Sequence, residues 1–493
     1  MRDARWGLGL VLLGYLVAGV LYAAFTPPWQ APDEPAHYNY IRHLAEGGGF
    51  PILLPGDYPH QYLEAIKARR FPADMPITPL RYEFHQPPLY YLLAVPIYWG
   101  ASGALLPLRL FSVALGALLL LAVWGLVGAA FPGRPALRLG TVAFVAFLPM
   151  HVALAASVNN DVLAELWLAL GGWGLLRVLQ GRPTLRHLLG TGVVLGLGLL
   201  TKTTAYILLP LAVGAVVLRQ AWTVEGEDPP GPWDARVAEG VRQATAFLSP
   251  AILLGAAWWG RNLWVYGGTD FLGLQRHAAI VVGQPRTGEW LASLGARELA
   301  RRFLETTFHS FWGQFGWMGV LLDARLYAAL GVLSLAVGLG LGAWAWRMRR
   351  TSFRRPQVRV AAWLGLWLFL TACTYLWYNA EFVQHQGRYL FPALVPLGLA
   401  FACGWQELER PPAARVTAAG LALVATGLGV WSLAQGALDK WGVALLVGGA
   451  AGLAILSWLP PWARRAALWL LFGALWVLDL GCLFSFVVPA LAP

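Results

Sequence analysis

The residues of this chain best suited to acid–base chemistry follow directly after its first apolar segment. Asp33 and Glu34 form a pair of carboxylates in the stretch DEPAHY, and His37 comes four residues after Asp33. A carboxylate can accept a proton from an attacking hydroxyl, and a histidine exchanges protons near neutral pH. The pair also has a purely structural interpretation, because acids favour the first turn of a helix and Pro35 suits its first position.

Several cationic residues near the ends of later apolar segments could face these carboxylates. Lys202, in LLTKTTAY, is one of three lysines and lies between two apolar segments, where an ionisable group is costly unless it is paired or hydrated. Arg109, Arg388 and, more weakly, Arg261 are candidates to bind a phosphate, since arginine binds phosphate bidentately and lysine acts as a point charge. The arginines could equally snorkel to lipid headgroups.

Four further polar residues could complete a site by orienting an acceptor: Glu83, His85, Asn160 and Asp161. Asn160 and Asp161 have a structural alternative as the cap of a helix. A carboxylate base opposite phosphate-binding cations, beside an apolar groove, suits the transfer of a sugar from a polyprenyl phosphate to a hydroxyl. The residue types therefore predict a transferase site at a membrane surface.

The elements that must position these residues are membrane helices. The chain has 493 residues, of which 58% are hydrophobic and 12% charged, and its mean hydropathy is +0.57. Its apolar runs match the roughly 20 residues that a helix needs to cross a bilayer. We predict an all-α polytopic membrane protein with about 13 spans, at 6–25, 105–130, 138–157, 161–179, 185–201, 203–219, 245–264, 325–346, 360–379, 388–406, 414–434, 441–459 and 466–489.

One apolar stretch, residues 87–103, is excluded from the spans because it is short and contains three prolines. We predict that it forms a helix in the membrane interface, with Tyr90 and Tyr91 among the aromatic residues at headgroup depth. With the N-terminus in the cytoplasm, seventeen basic residues then face inward in short loops and four face outward. This bias satisfies the positive-inside rule and places the two long loops, 26–104 and 265–324, outside the cell.

The second long loop is expected to carry an amphipathic interfacial helix, because its apolar residues recur at helical spacing. The predicted organisation is an N-terminal catalytic transmembrane module at 1–219 that includes loop 26–104, a cytoplasmic connection at 220–243, a second transmembrane part at 244–410 that includes loop 265–324, and C-terminal transmembrane helices at 411–493. The three cysteines fall within spans and predict no disulfide framework.

Five sequence motifs also carry a family resemblance. The acidic pair in DEPAHY resembles that of the GT-C glycosyltransferases, in particular the dolichyl-phosphate-mannose protein mannosyltransferases and the bacterial aminoarabinose transferase. FHQPPLYYLL at 84–93 is similar to their His-Pro-Pro-Leu segment, with Gln86 inserted. NND at 159–161 and LLTKTTAYILLP at 199–210 resemble an outer loop and a span of these enzymes, and QGRYLFPALVP at 386–396 resembles a motif of related bacterial membrane proteins.

The resemblance implies an inverting transferase that uses a lipid-phosphate sugar and a first-loop carboxylate as the base. Asp33 is then the first choice for the base and Glu34 its neighbour or substitute. Lys202, Arg109 and Arg388 become candidate phosphate ligands, and Asp161 a candidate to orient the acceptor. A glycan or lipid acceptor is favoured over a protein, and the enzyme is expected in a bacterial plasma membrane with its site on the outer face.

Two other function classes remain open at this stage. A glycan polymerase or ligase would use a lipid-diphosphate donor, and a flippase or transporter of lipid-linked sugars would place polar residues on both sides of the bilayer. His37 and Asp33 could share a metal, but they have no convincing third ligand. We therefore predict no metal site and no certain cofactor, and leave a divalent cation as an open alternative.

Overall fold

The structure is a computed structural model, and it describes residues 2–181, 183–222, 224, 231–349 and 355–492. Nearly all regular structure in these residues is helical. The first span is followed by a loop that folds into short helices against the bundle. These first elements are α1 Arg2–Phe25, α2 Glu34–Ala45, α3 His60–Ala68, a 3₁₀ helix Tyr82–His85 and α4 Leu89–Gly100.

The next group of helices forms the centre of the bundle, where α5 packs against α8 and α9 packs against α11. Its helices are α5 Leu105–Ala130, α6 Pro135–Ala146, α7 Pro149–Ala155, α8 Asp161–Leu179, α9 Leu185–Leu199, α10 Leu208–Ala221 and α11 Trp233–Tyr266, and a 3₁₀ helix Thr203–Ile207 precedes α10. The axes of α6 and α7 differ by 64°, because Pro149 starts a new helix and cannot continue the old one.

The second long loop and the remaining spans complete the fold. The loop contains α12 Leu274–Ile280, α13 Thr287–Leu294, α14 Ala296–Trp312 and an antiparallel pair, β1 Gln314–Phe315 with β2 Val320–Leu321. The helices that follow are α15 Ala324–Met348, α16 Pro356–Glu381, a 3₁₀ helix Gly387–Ala393, α17 Leu394–Glu407, α18 Pro411–Ala434, α19 Lys440–Trp458, α20 Pro461–Gly481, a π-helical turn Cys482–Val487 and α21 Val488–Leu491.

The prediction of an all-α polytopic membrane protein is confirmed. In the part of the chain that is described, ten helices are long and apolar enough to cross a membrane, and the bent pair α6–α7 makes eleven. The other two of the thirteen predicted spans coincide with α9 and α11. α9 has only 15 residues, and α11 is 34 residues long with a charged first half, so neither meets the same criterion.

A contact between the two long loops requires that α9 and α11 either both cross the membrane or both do not. Arg276 of α12 donates to the Leu53 carbonyl oxygen at 2.9 Å, which puts the two long loops at the same end of the bundle. Six helical segments, α5 to α11 with the bent pair as one, lie between these residues. An even number of crossings is needed, so α9 and α11 must both cross or both fail to cross. Which end faces the cytoplasm stays a prediction.

The helix expected at 87–103 forms as α4, but two of its tyrosines are not available to face lipid headgroups. Tyr90 and Tyr91 are fully buried inside the protein. The Tyr90 hydroxyl is 2.8 Å from Ser112 Oγ, and the ring of Tyr91 stacks on Tyr40 of α2 at 3.7 Å between centroids. The prediction for these two residues was wrong because helix α2, packed on α4, covers the face that the sequence pattern assigns to lipid.

The predicted division of the chain stays a prediction. The proposed connection 220–243 includes positions 223 and 225–230, which lie outside the described residues, and α11 already begins at Trp233. The amphipathic segment of the second loop is divided between α13 and α14, which meet at Gly295 in a positive-φ conformation. Glycine adopts that conformation without steric cost, so the two helices can change direction there.

We predict that thirteen crossings place residues 64 and 357 on opposite faces of the membrane. The exposed side chains of Glu64 and Gln357 allow single cysteines to be introduced there after Cys373, Cys403 and Cys482 are replaced by alanine. A membrane-impermeant maleimide should label E64C in intact cells and Q357C only after permeabilisation. Labelling of both from the same side would contradict the thirteen-crossing topology.

Candidate active site

The first carboxylate of the acidic pair meets an arginine from the far end of the sequence. Asp33 Oδ2 accepts a hydrogen bond from Arg388 Nη2 at 3.0 Å, and Asp33 Oδ1 accepts one from the Tyr82 hydroxyl at 3.0 Å. The Asp33 side chain is 25% exposed and that of Arg388 is 9% exposed. This contact joins residues that are 355 positions apart, and it brings the start of α2 to the 3₁₀ helix before α17.

The backbone explains why Asp33 is free to make this contact. Asp33 occupies the N-cap position of α2 with a φ of 67°, in the left-handed region, and its side chain makes no capping hydrogen bond. Pro35 lies in the first turn, as the sequence predicts. The structural interpretation of the pair is therefore only half fulfilled. The residue stands at the helix start, yet its carboxylate points away from the helix toward Arg388.

The charges around Asp33 decide its protonation. Burial acts to raise the pKa of Asp33, but the charges of Arg388 and His37 and the hydrogen bonds from Arg388 and Tyr82 outweigh burial and lower the pKa below its ordinary value. Asp33 is therefore ionised at neutral pH. An ionised carboxylate with partial access to solvent can accept a proton.

A second carboxylate and cation form a pair beside the first. Lys202 Nζ lies 2.6 Å from Asp161 Oδ1. Lys202 stands between α9 and the following 3₁₀ helix, and Asp161 is the first residue of α8, so the pair joins two tight turns at the same end of the bundle. Burial acts to lower the pKa of Lys202, but the charges of Asp161 and Glu83 raise it above its ordinary value. Lys202 therefore carries its charge.

Glu83 is the third acid in this group, and its environment differs. Burial raises its pKa, against the opposing charges of His37 and Lys202. Its Oε2 atom is buried and has no hydrogen-bond partner among the described residues. A buried acceptor without a partner is rare in native proteins and calls for an explanation. Glu83 therefore offers an open hydrogen-bonding position next to Asp33 and Lys202.

His37 and Asn160 are connected through one tyrosine. His37 Nδ1 lies 2.8 Å from the Tyr91 hydroxyl, and Asn160 Nδ2 donates to the Thr201 carbonyl oxygen at 3.2 Å and to Tyr91 at 3.4 Å. Burial lowers the pKa of His37, against the charges of Glu83 and Asp33, which act to raise it. Asn160 stands at the N-cap position of α8 but its side chain makes no capping hydrogen bond, and in the described part of the chain its Oδ1 atom is buried without a partner.

Glu34 and Arg109 are brought together as a buried ion pair. Glu34 is fully buried, and its carboxylate accepts from Arg109 Nε at 2.8 Å and from Arg109 Nη2 at 2.6 Å. Arg109 also donates to the carbonyl oxygens of Ala23, Thr26 and Pro27. With 3% of its side chain exposed and its guanidinium so engaged, Arg109 is poorly placed to bind a phosphate. The geometry gives Glu34 and Arg109 a structural role.

Two other candidates lie outside the cluster of charges. His85 is buried, its Nδ1 is 3.0 Å from the Tyr82 carbonyl oxygen, and burial lowers its pKa to about 4. Arg261 donates to the carbonyl oxygens of Phe50 and Pro51 and stacks on Trp258. His85 therefore supports Tyr82, and Arg261 fastens the first loop to α11. Neither contact supports a role in binding substrate.

Two residues of the site were missed by the sequence reasoning. Tyr82 donates directly to Asp33, and the guanidinium of Arg388 lies 5.4 Å from the ring centre of Tyr389. Both tyrosines stand next to predicted site residues, in RYEFHQPP and QGRYLFP. The chain contains 16 tyrosines, so only their adjacency to Glu83 and Arg388 could have singled them out.

The donor set does not resemble a metal centre. Among the described residues no group of three or more His, Cys, Asp and Glu side chains is arranged to hold an ion. Asp33 and Asp161 each face a cation at hydrogen-bond distance. A divalent cation that used these carboxylates would have to displace Arg388 and Lys202 from them.

Similarity to proteins of known structure covers most of the chain but is distant. ArnT from Cupriavidus metallidurans in the apo state has a TM-score of 0.49 and 17% identity, covering 98% of this chain and 76% of that chain. The same protein bound to undecaprenyl phosphate gives 0.46 and 15%, covering 98% and 77%. The Archaeoglobus fulgidus oligosaccharyltransferase with a tethered acceptor peptide gives 0.44 and 14%, covering 92% and 55%. The chain thus spans about half of that archaeal protein. At these scores the alignments carry no argument about the site.

Comparison of sequences gives one informative match. None of the curated protein sequences matches the chain significantly. Residues 85–226 match the model of a family described as dolichyl-phosphate-mannose-protein mannosyltransferase. The matched segment, under a third of the chain, contains His85, Arg109, Asp161 and Lys202. This match confirms the resemblance predicted from the motifs: over residues 85–226 the chain resembles the dolichyl-phosphate-mannose-protein mannosyltransferases, which are membrane glycosyltransferases.

Proposed function

We propose that the chain is an inverting glycosyltransferase that moves a sugar from a polyprenyl-phosphate donor to an acceptor hydroxyl. The observation that carries this proposal is the contact between Asp33 and Arg388, with the Lys202–Asp161 pair within electrostatic range. Two carboxylates and two cations thereby meet at one end of the bundle. The charge bias of the loops supports placing this end on the outer face of a bacterial plasma membrane.

When the donor binds, its phosphate takes the place of the carboxylates that now contact the cations of the site. A phosphate that reaches Arg388 and Lys202 competes with Asp33 and Asp161 for the same donors. Arg388 is suited to bidentate binding, and its Nε atom is buried without a partner among the described residues. As the phosphate takes over these cations, Asp33 loses the charge that holds its pKa low. The base therefore becomes stronger when the donor is in place.

The chemical step then balances in protons and charge. The acceptor oxygen attacks the anomeric carbon from the face opposite the phosphate, its proton passes to Asp33, and the bond from the anomeric carbon to the phosphate oxygen breaks. Polyprenyl phosphate leaves with one more negative charge than the phosphate group of the donor carried. Arg388 and Lys202 stabilise that developing charge, which is the contribution expected of fixed cations in a site of low polarity.

The acceptor is best sought among hydroxyl-bearing glycans or lipids. Glu83 Oε2 and Asn160 Oδ1 are buried acceptors without partners in the described part of the chain, and sugar hydroxyls would satisfy both. A flippase gains no support, because the polar residues of this cluster lie at one end of the bundle and transport needs a path across it. A lipid-diphosphate donor stays an alternative that assays with both donor types will decide.

We predict that Asp33→Asn strongly reduces turnover but not donor binding. The amide cannot accept the proton, so kcat should fall about 10²- to 10⁴-fold. Affinity for the polyprenyl-phosphate sugar should stay equal or rise, since Arg388 no longer has a competing carboxylate. Donor affinity by equilibrium binding and single-turnover kinetics measure the two effects. Glu64→Gln, an exposed acid in the same loop, serves as the matched control.

Retention of turnover by Asp33→Asn would remove Asp33 as the base. Turnover by the unmodified protein with a lipid-diphosphate sugar only would instead support the polymerase or ligase alternative.

We predict that Glu34→Gln acts on stability. It leaves Arg109 buried without its counterion, and breaking a buried ion pair costs about 3–5 kcal/mol. The Tm should fall strongly for Glu34→Gln and little for Asp33→Asn. The double variant Glu34→Gln/Arg109→Met should recover part of the loss, because it removes both charges. An unchanged Tm with abolished turnover in Glu34→Gln would make Glu34 the base.

We predict that Arg388→Gln moves the acidic limb of kcat/KM to higher pH. The base must be ionised, so activity is lost as the pH falls through the pKa of Asp33 in the free enzyme. Arg388 supplies the largest of the influences that lower this pKa, and burial, which raises it, stays. The pKa read from the acidic limb should therefore rise. An unshifted limb would contradict proton transfer to Asp33.

A further inference from the structure

We propose that the chain binds an anionic phospholipid at the end of the bundle opposite the candidate active site. Two adjoining cavities, of about 360 Å³ and 350 Å³, open between the starts of α6, α18 and α20. The 3₁₀ helix and α17 separate them from Arg388, and 21 residues of such helix extend roughly 35 Å. This site is independent of the proposed enzyme function.

The first cavity is lined by charges of one predominant sign. Arg410, Arg464 and Arg465 face it together with one acid, Glu409. Arg464 donates to the Leu459 carbonyl oxygen at 2.7 Å, and Arg465 has no hydrogen-bond partner in the described part of the chain. These arginines therefore have guanidinium N–H groups that are available to bind an anion.

The helix ends make this excess of positive charge harder to explain without a ligand. α18 begins at Pro411 and α20 at Pro461, and both lie on the wall of the first cavity. A helix start carries a partial positive charge, so it attracts anions and disfavours nearby cations. Arg464 and Arg465 lie in the first turns of α20, where they oppose the dipole. A bound phosphate would offset both positive contributions.

Arg410 does not already have a full partner. Its Nε is 3.5 Å from Glu407 Oε1, whereas Arg347 holds the same carboxylate with two bonds of 2.8 Å and 2.7 Å. The stronger pair leaves Arg410, which is more than half exposed, available for another anion. The phosphate position is therefore bounded by three arginines from two helix starts.

The second cavity supplies an apolar surface next to this phosphate position. It shares Arg465 and Glu409 with the first and is lined by Trp405, Trp469 and Phe472. The Trp405 Nε1 atom is buried without a hydrogen-bond partner among the described residues, and can donate to an ester oxygen. A polar cavity with arginines that opens into an aromatic groove fits a molecule with a phosphate headgroup and an acyl chain, and not a free phosphate.

The test compares lipids of equal chain length and different charge on the purified full-length protein. Native mass spectrometry should show dioleoyl-phosphatidylglycerol retained at least tenfold more strongly than dioleoyl-phosphatidylcholine, and the former should raise the Tm. Arg464→Gln/Arg465→Gln should abolish this preference. Arg349→Gln/Arg355→Gln, which removes two exposed arginines of the same predicted face, should preserve it.

A second variant tests the groove without changing charge. Ala136→Trp, at the wall of the second cavity, should fill the space for the acyl chain and also reduce retention of the anionic lipid about tenfold. Equal retention of both lipids by the unmodified protein, or an equal rise in Tm with inorganic phosphate alone, would overturn the proposal. Loss of the preference in the control variant would show a general surface effect and would overturn it as well.

Discussion

The cost of an unpaired charge beside hydrocarbon is the constraint that organises this fold. Asp33 and Glu34 are neighbours in sequence, yet each pairs with a different arginine. Asp33 pairs with Arg388, from the 3₁₀ helix before α17, and Glu34 pairs with Arg109 of α5. The fully buried pair of Glu34 and Arg109 ties the start of α2 to the end of α1 and the start of α5. The pair of Asp33 and Arg388 lies beside this buried pair and is partly exposed, so a ligand can reach it.

Aromatic packing between α2 and α4 supports the buried pair of Glu34 and Arg109. Tyr91 stacks on Tyr40, and its hydroxyl meets His37, so α2 and α4 are joined by both ring contact and hydrogen bond. Buried aromatic pairs add about 0.5–1.5 kcal/mol beyond the area they bury. Polar groups that are held by such a framework lose little further entropy when a ligand binds. This preorganisation is what electrostatic catalysis requires.

Much of this arrangement could be predicted from the sequence, for a specific reason. In a chain with few charges, an ionisable residue at the end of an apolar segment stands out, and Asp33, Asp161, Lys202 and Arg388 were all found in this way. The same signal could not separate Arg388 from Arg109, because both lie near span ends and differ only in their partners. Those partners are 75 and 355 residues away in sequence.

The sequence-based predictions that were wrong also have physical causes. Periodicity reports that a helix has an apolar surface but not whether lipid or protein covers it, which is why Tyr90 and Tyr91 were misplaced. The count of basic residues predicted that both long loops lie on the same side of the membrane. The hydrogen bonds at this end of the bundle agree with that prediction. The count could not measure helix length, so α9 and α11 were predicted as ordinary spans although one is short and the other extends well beyond its apolar part.

Helix α2 begins between the two acids, so the direction in which each carboxylate points depends on where the helix starts. Successive side chains at a helix start point in different directions, and the connection of residues 26–33 decides which carboxylate turns toward α5 and which toward Arg388. Insertion of a single residue that shifted this register would move Asp33 to the position that Glu34 occupies opposite Arg109, and would leave no carboxylate opposite Arg388. The length of this short linker is therefore as much a part of the chemistry as the acids that follow it.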